Sequence, residues 1–387
     1  MSQPYGLDTA LRFLERGLEH GQLTLTEPDG RTRVFGGRSP GPPADMTIRD
    51  WRVLRAVLMK GDIGLGESYM AGWWDSSDLV ALSSILVRNT GKLGKLAWGS
   101  PWFQFAATLR HRLLRRNSIQ GSRSNILAHY DLGNNFYKLW LDPSLSYSSA
   151  LYASGSRDLA SAQHSKYTRI LERIGTRSQK ILEIGCGWGG FIETACAHDH
   201  HVTGLTISDA QFQVAKTRAP AASEVRLQDY RQASGRFDAV VSIEMFEAVG
   251  ERYWPIYFRA LAERLNHKGV AVVQTITIAD DLFPAYRTSS DYIRHHIFPG
   301  GMLPSLLRFR QEAQKAGLVC RDVFSFGTDY ARTLLDWLER FDAAATDIRA
   351  LGYDEAFMRG WRFYLALCAG AFLAGRTDVH QIELAVS

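Results

Sequence analysis

From Glu183 to Gly190 the chain reads Glu-Ile-Gly-Cys-Gly-Trp-Gly-Gly, with four glycines, Gly185, Gly187, Gly189 and Gly190, in six residues. Glycines at this density let a backbone turn tightly and approach a ligand closely. The preceding Ile181, Leu182 and Ile184 form an apolar run long enough for a buried parallel strand, and a helix pattern follows from Phe191 through Ala197. Strand, glycine loop and helix form the unit that holds a nucleotide-like ligand at the carboxyl edge of a sheet. The Gly-x-Gly-x-Gly-Gly spacing is not the dinucleotide fingerprint, and no Gly-Lys-Ser/Thr marks a phosphate-cradling loop. An acid just before the loop, Glu183, suits a cationic ligand and matches the ammonium or sulfonium of S-adenosylmethionine. A plain strand-to-helix turn is the alternative that these residues alone leave open.

The elements around the loop favour the methyl donor. From Lys180 onward strand patterns at Val202–Thr206, Val225–Leu227, Phe237–Ile243 and Gly269–Ile278 alternate with helix patterns at Asp209–Arg218 and Tyr253–Leu265. Alternation at this spacing predicts an α/β fold with a doubly wound parallel sheet. Thr206 and Ser208 follow the second strand, where ribose hydroxyls would lie, and Asp229 follows the third, where an adenine amino group would be bound. Asp280–Ser305 interrupts the sheet, and Ile293–Pro304 reads as a lid loop. A helix over Leu306–Ala316 and a strand over Val319–Phe326 follow, and two helices, Leu334–Leu351 and Ala356–Ala374, finish the chain.

The chain has 387 residues, enough for two domains, with 45% hydrophobic and 22% charged residues, as in an ordinary globular protein. No apolar run reaches the ~18 residues of a membrane span, and the first twenty residues carry too many charges for a secretory signal. Cys186, Cys196, Cys320 and Cys368 form no metal-like cluster and suggest reduced, cytoplasmic thiols. No metal is expected, and His295 and His296 read as lid or surface residues. A net charge of +5 and a pI of about 9.0 fit an anionic partner, nucleic acid or a lipid surface, or a mildly basic protein with neither.

The first 120 residues read as a mainly helical domain. Helix patterns cover Leu7–Leu18, Asp50–Lys60 and Leu79–Val87, with a strand at Leu23–Thr26 and a Gly/Pro-rich connection over Arg38–Pro43. Gly61–Trp74 holds too many glycines for an ordinary helix and reads as a tight loop. Asn89–Gln120 sets Lys92, Lys95, Arg110, Arg112, Arg115 and Arg116 among Trp98, Trp102, Phe103 and Phe105, a pattern that suits a helix lying on an anionic membrane, or one packed on its own domain. A linker at Gly121–Ser124 separates this lipid- or membrane-binding domain, 1–120, from the methyltransferase domain, 121–387.

Taken together, Gly64-Leu-Gly-Glu-Ser-Tyr-Met-Ala-Gly-Trp-Trp, His129-Tyr-Asp-Leu-Gly-Asn-Asn-Phe-Tyr, Ile184-Gly-Cys-Gly-Trp-Gly-Gly, Gly204-Leu-Thr-Ile-Ser, Gln228-Asp-Tyr-Arg, Met245-Phe-Glu-Ala-Val-Gly, Ile297-Phe-Pro-Gly-Gly and Cys368-Ala-Gly-Ala-Phe resemble the cyclopropane fatty acid synthase family, which includes the mycolic acid cyclopropane synthases. The resemblance runs in family order from about residue 61 to 374. It implies a class I methyltransferase, Rossmann-like seven-stranded sheet, and transfer of a methyl group from S-adenosylmethionine to a cis double bond of an unsaturated phospholipid acyl chain. It further implies a carbocation that loses a proton to give a cyclopropane or a methyl branch.

In the family a bound bicarbonate is thought to take that proton, held by a Cys backbone group, a Glu, a His and a Tyr. Carried over, the Glu is Glu247 and the Tyr is Tyr330, while Ser149 replaces the Cys, Gln274 the His, and Ala248 the His that usually follows the Glu. Gln can donate a hydrogen bond to an anion but carries neither proton nor charge, so the cyclopropane product is in question. The resemblance puts Tyr147 and Ser148 at the methionine part of the cofactor, Glu183, Gly185, Gly187, Trp188 and Gly189 in its loop, Thr206, Ser208 and Gln211 at its ribose, and Asp229 and Tyr230 near adenine. Cys368 matches a Cys often marked as active, but sits in an apolar helix pattern without a nearby base. The expected setting is cytoplasmic and peripheral to an anionic membrane, without nucleic acid, with a homodimer as a possible assembly. Two other classes stay in view: an N- or O-methyltransferase of a small molecule, against which Ala248 argues, and a non-catalytic lipid-binding relative, against which Glu183 and Glu247 argue.

Overall fold

In the computed structural model, which describes residues 7–93, 99–104, 118, 121, 132–152, 158–175 and 177–387, the chain divides into two units. The first takes in Met1–Leu114, Thr288–Ile297 and Trp337–Arg376. Its sheet has the order β2-β1-β3-β4, formed by β1 (His20–Thr26), β2 (Thr32–Gly36), β3 (Ser39–Ile48) and β4 (Trp74–Asp75). A sheet therefore accompanies the expected helices, which are found at Leu7–Gly17, Arg52–Lys60 and Leu79–Arg88.

Two local readings are corrected here. Arg38–Pro43 is not a connection but runs into β3, which pairs in parallel with β1 through a bulge near Gln22. Proline is tolerated there because β4 pairs only with Thr47 and Ile48, leaving the Pro40–Pro43 stretch without a second partner strand among the described residues. Gly61–Trp74 is not a loop either: Asp62–Met70 is a helix. Its glycines serve close packing rather than turning. A Cβ on Gly64 would stand 2.1 Å from the Ala56 carbonyl oxygen, and one on Gly66 would stand 2.3 Å from the Tyr292 ring. Most of the basic and aromatic stretch 89–120 lies outside the described residues, including Lys95, Trp98, Phe105, Arg110, Arg112, Arg115 and Arg116, as does most of the Gly121–Ser124 linker and the start of the His129 motif. No helix among the described residues is long and apolar enough to cross a membrane.

The second unit takes in Arg115–Arg287, Phe298–Asp336 and Thr377–Ser387. Seven strands, β5 (Lys180–Ile184), β6 (His201–Thr206), β7 (Glu224–Leu227), β8 (Phe237–Ile243), β9 (Leu265–Ile278), β10 (Leu318–Ser325) and β11 (Thr377–Val386), form a sheet in the order β10-β11-β9-β8-β5-β6-β7. β5 to β9 are parallel neighbours; β11 runs antiparallel to both β9 and β10. The chain thus ends on a strand, not on two helices, and the sheet is mixed rather than wholly parallel. β11 lacks a continuous apolar run because its buried polar groups pair inside: His380 bonds Thr277 Oγ1 and Ser325 Oγ, each at 2.8 Å, and Glu383 accepts from Arg173.

Successive residues of the central strands serve opposite faces. Ile181, Ala239, Val241 and Val272 join one core with Tyr167, Ile170, Phe191 and Ile192, and Leu182, Val240, Ala271 and Val273 join another with Phe246, Trp254, Phe258 and Phe309. Helices thus cover both faces. One of them, Leu159–Ile174, starts at a capping box between Asp158 and Ser161. Its buried stripe contains Ala162, Gln163, Lys166, Tyr167, Ile170 and Leu171, so periodicity places two polar residues on the inward face.

Candidate active site

The glycine loop leaves the carboxyl end of β5. Gly185 and Gly187 both have left-handed φ, +83° and +52°, which residues with a Cβ rarely adopt. A Cβ on Gly185 would meet Met245 Cγ at 2.7 Å, whereas around Gly187 there is open space to 4 Å. Gly189 caps the short Gly190–Cys196 helix, also with positive φ. Glu183 lies within β5 at 2% exposure, and its Oε2 makes no hydrogen bond. Burial pushes its carboxyl up to about 8, against the pull of the Lys166 ammonium. A buried carboxyl with an unsatisfied oxygen beside open glycine backbone fits the cationic methionine end of S-adenosylmethionine.

Trp188 donates its Nε1 proton to Asn134 Oδ1 over 2.8 Å, and its ring lies 5.1 Å from that of Tyr137. Tyr147 packs against Tyr137 and Trp140, each at 5.5 Å between ring centres, and against Phe298 at 6.3 Å. Ser148 accepts from Lys166 Nζ at 2.7 Å through its hydroxyl and from Gln163 Nε2 at 2.9 Å through its carbonyl. Lys166 is fully buried, and its ammonium also donates to Gln163 Oε1 at 2.5 Å. Burial brings it down to about 8, opposed by Glu244, Asp142 and Glu183.

After β6, Thr206 donates to Gln211 Oε1 at 3.0 Å, and Ser208 caps the Asp209–Arg218 helix by accepting from Gln211 N. These three groups bind one another. After β7, the Asp229 carboxylate is gripped by Arg231 through Nε and a terminal nitrogen, each at 2.7 Å, and Tyr230 packs edge-on to Tyr257.

The residues carried over as an anion site converge, but not on Glu247. Ser149 N and Gln274 Nε2 each donate to Glu244 Oε1 at 2.8 Å, and Tyr330 donates its phenol proton to Glu244 Oε2 at 2.6 Å. Glu247 faces elsewhere: its Oε1 accepts from Ile276 N at 2.6 Å and Thr275 Oγ1 at 3.0 Å, and its Oε2 is buried without a partner. Burial first, and the Glu244 charge second, push Glu247 up to about 8. Glu244 is also raised by burial, but Tyr330, Lys166, Gln274 and Ser149 all favour its ionised form.

Reading the sequence missed Glu244, Lys166 and Gln381. Glu244 stands one residue before the quoted Met245 motif, and a second acid three residues before Glu247 was the available signal. For Lys166 the signal was a lysine on an otherwise inward helical stripe. Cys368 lies in the first unit on the Glu355–Leu373 helix, and burial pushes its thiol up to about 12, so it stays protonated at neutral pH. Glu67, His295 and His296, distant in sequence, hold candidate ligand atoms within 4.8 Å of one another in that unit. The Lys60 ammonium, 2.5 Å from Glu67 Oε2, supplies positive charge there.

Residues 117–382 match the family model described as mycolic acid cyclopropane synthetase. Tuberculostearic acid methyltransferase UfaA1 of Mycobacterium tuberculosis is 36% identical, over 97% of this chain and 90% of its own. The cyclopropane-fatty-acyl-phospholipid synthase of Escherichia coli is 36% identical, over 88% of this chain and 87% of its own. The solved cyclopropane synthase MmaA2 of Mycobacterium tuberculosis superposes with a TM-score of 0.64 at 30% identity, covering 68% of this chain and 98% of that one. Mycolic acid cyclopropane synthase CmaA1, solved with SAH and CTAB, gives 0.63 at 30% identity over 68% and 97%. With the loop, the buried acid and these matches in agreement, the chain belongs to the mycolic acid cyclopropane synthetase family and is an S-adenosylmethionine-dependent C-methyltransferase of unsaturated acyl chains.

Proposed function

We propose that the substrate is an acyl chain still esterified in a membrane phospholipid, that the enzyme works peripherally on an anionic bilayer, and that a substantial share of its product is methyl-branched. The observation that carries the chemistry is Glu183, buried beside the glycine loop with one carboxyl oxygen unsatisfied. S-adenosylmethionine supplies an electrophilic methyl group on a sulfonium. Glu183, Tyr147 and Ser148 would hold its methionine end; Gly185, Gly187, Trp188 and Gly189 would line it; Thr206, Ser208, Gln211, Asp229 and Tyr230 would meet its ribose and adenine.

An alkene is a poor nucleophile, so the protein's work is positioning and exclusion of water. Attack on the methyl leaves a carbocation on the acyl chain. The clustered faces of Tyr137, Trp140, Tyr147 and Phe298 offer an aromatic lining on which a cation is stabilised. Loss of a proton from the new methyl closes a ring; loss from a neighbouring chain carbon leaves a branched alkene. The phospholipid reading is supported by the Escherichia coli relative's name, the branched product by that of the UfaA1 relative. The membrane reading is supported by the net charge of +5, the basic residues of 92–116 and Trp102 at 76% exposure.

Vesicles of unsaturated phospholipid and a trideuteromethyl donor test both. A ring retains two methyl deuteriums, and a branched alkene formed by loss of a chain proton retains all three. An exocyclic methylene, reached through a hydride shift, also retains two, as =CD2, and is distinguished from the ring by its olefinic carbon and deuterium signals. Absence of label from phospholipid overturns the substrate reading; ring product alone overturns the branched one.

A further inference from the structure

The groups that the family would aim at bicarbonate are already occupied by an anion of the chain itself. The single proton of Ser149 N goes to Glu244, and so does the phenol proton of Tyr330. The amide of Gln274 points one N–H at Glu244 and the other at the Ser149 carbonyl, 3.4 Å away. Bicarbonate would have to lie against the Glu244 carboxylate with these donors spent, so the site does not fit it.

The backbone gives independent support. Glu244 has φ +48°, one of three described non-glycine residues in the left-handed region. It follows β8 directly, and its own N–H is fixed to the Gln274 carbonyl at 2.8 Å. Strain of this kind persists where surrounding contacts enforce it, and it gathers at functional sites. Here it turns a carboxylate into the donors.

We infer that Glu244 is the reaction's proton acceptor, standing where other members of the family are thought to hold bicarbonate. This rests on the reading that methyl transfer leaves a carbocation on the acyl chain. The cation loses a proton from the new methyl or from an adjacent chain carbon. The electron pair of that C–H bond becomes the new ring bond or the new π bond, and the proton passes to a Glu244 oxygen. The resulting carboxylic acid returns the proton to water on product release, so each turnover yields one S-adenosylhomocysteine and one proton. Glu247 lies outside this cluster: its Oε1 accepts from Ile276 N and Thr275 Oγ1, its Oε2 is buried without a partner, and Ser149, Gln274 and Tyr330 all donate to Glu244 instead.

The test uses the full chain, unsaturated phospholipid vesicles and labelled donor, in carbon-dioxide-free buffer with and without added bicarbonate. The wild type should turn over equally in both. Glu244→Gln should lose about 100-fold in turnover, the usual scale for a general base, while still binding S-adenosylhomocysteine. Glu244→Gly relieves the strained φ and vacates the donors; it should be slow without bicarbonate and recover when bicarbonate is added. A wild type whose rate falls as bicarbonate is removed overturns the inference, as does a Glu244→Gln variant with wild-type turnover. A hydroxylated, methylated chain as main product overturns it too, because water would then quench the cation. No label in the phospholipid at all would overturn the substrate reading with it, whereas label with bicarbonate dependence overturns this inference alone. Should Glu244→Gln not fold, the wild-type bicarbonate titration and the Gly variant still decide.

Discussion

Gln381 donates from Nε2 to Gln274 Oε1 over 3.1 Å, and this bond turns the opposite end of Gln274 toward Glu244. Gln381 is itself oriented by Arg169, whose terminal nitrogen lies 2.7 Å from its Oε1. The final strand of the chain thus sets the amide of a residue on β9, and through it the carboxylate that follows β8.

Gln381→Leu should therefore lower kcat about tenfold while KM and the affinity for S-adenosylhomocysteine hold, since the residue acts through Gln274 and not on the ligands. Gln274 Oε1, the Lys166 carbonyl and the part-buried Arg169 guanidinium each lose a partner, so stability should fall by about 1–3 kcal/mol. Steady-state kinetics and a urea melt check both. A matched loss of cofactor affinity would count against the positioning role. Should the lipids gain only ring product, Gln274→His should change the rate but not the product.

Cofactor affinity should rise with pH up to about 8. The Glu183 carboxyl titrates near 8 in the fold, against an ordinary value of 4.5, so it is largely neutral at pH 7. A cationic ligand favours the ionised form, and binding at pH 7 should release protons. Because the folded value is raised, this group's contribution to apo stability is present below 4.5 and is lost as pH rises through about 8. Calorimetry of S-adenosylhomocysteine, which keeps the ammonium, in phosphate and in Tris reads the proton release. Glu183→Gln should weaken binding at least about tenfold, or 1.4 kcal/mol, and flatten the pH dependence.

Gly64→Ala should destabilise the first unit. The added Cβ would meet the Ala56 backbone at 2.1 Å, so the Arg52–Lys60 and Asp62–Met70 helices would have to part. Overpacking of this kind costs about 1–3 kcal/mol. Gly91→Ala, where nothing lies within 4 Å, is the control and should be neutral or slightly stabilising. Thermal melts of the two variants should separate by a few degrees.

Arg112, Arg115 and Arg116 changed together to Glu should weaken sedimentation with anionic vesicles. Each basic residue at such a surface contributes about 1 kcal/mol, and added salt should weaken the wild type in the same direction. Equal binding of wild type and variant to neutral and anionic vesicles would sink the membrane reading.

The sequence alone determined what depends on local pattern. The glycine loop is legible because an apolar strand, four glycines and a helix are contiguous. The alternation of strands and helices from Lys180 was enough for the α/β class. Tertiary structure decided what depends on distant partners. The helix at Asp62–Met70 exists because Gly64 and Gly66 let Ala56 and Tyr292 approach, which composition reads as a loop. β11 is buried although polar, because Thr277, Ser325, Gln274 and Arg173 satisfy it from elsewhere in the chain. Motif matching brought Ser149, Gln274 and Tyr330 to one site but chose Glu247 as their acid. Only the fold shows Glu244 there, since the direction of a carboxylate after a strand follows from its φ and from donors 30 to 95 positions away.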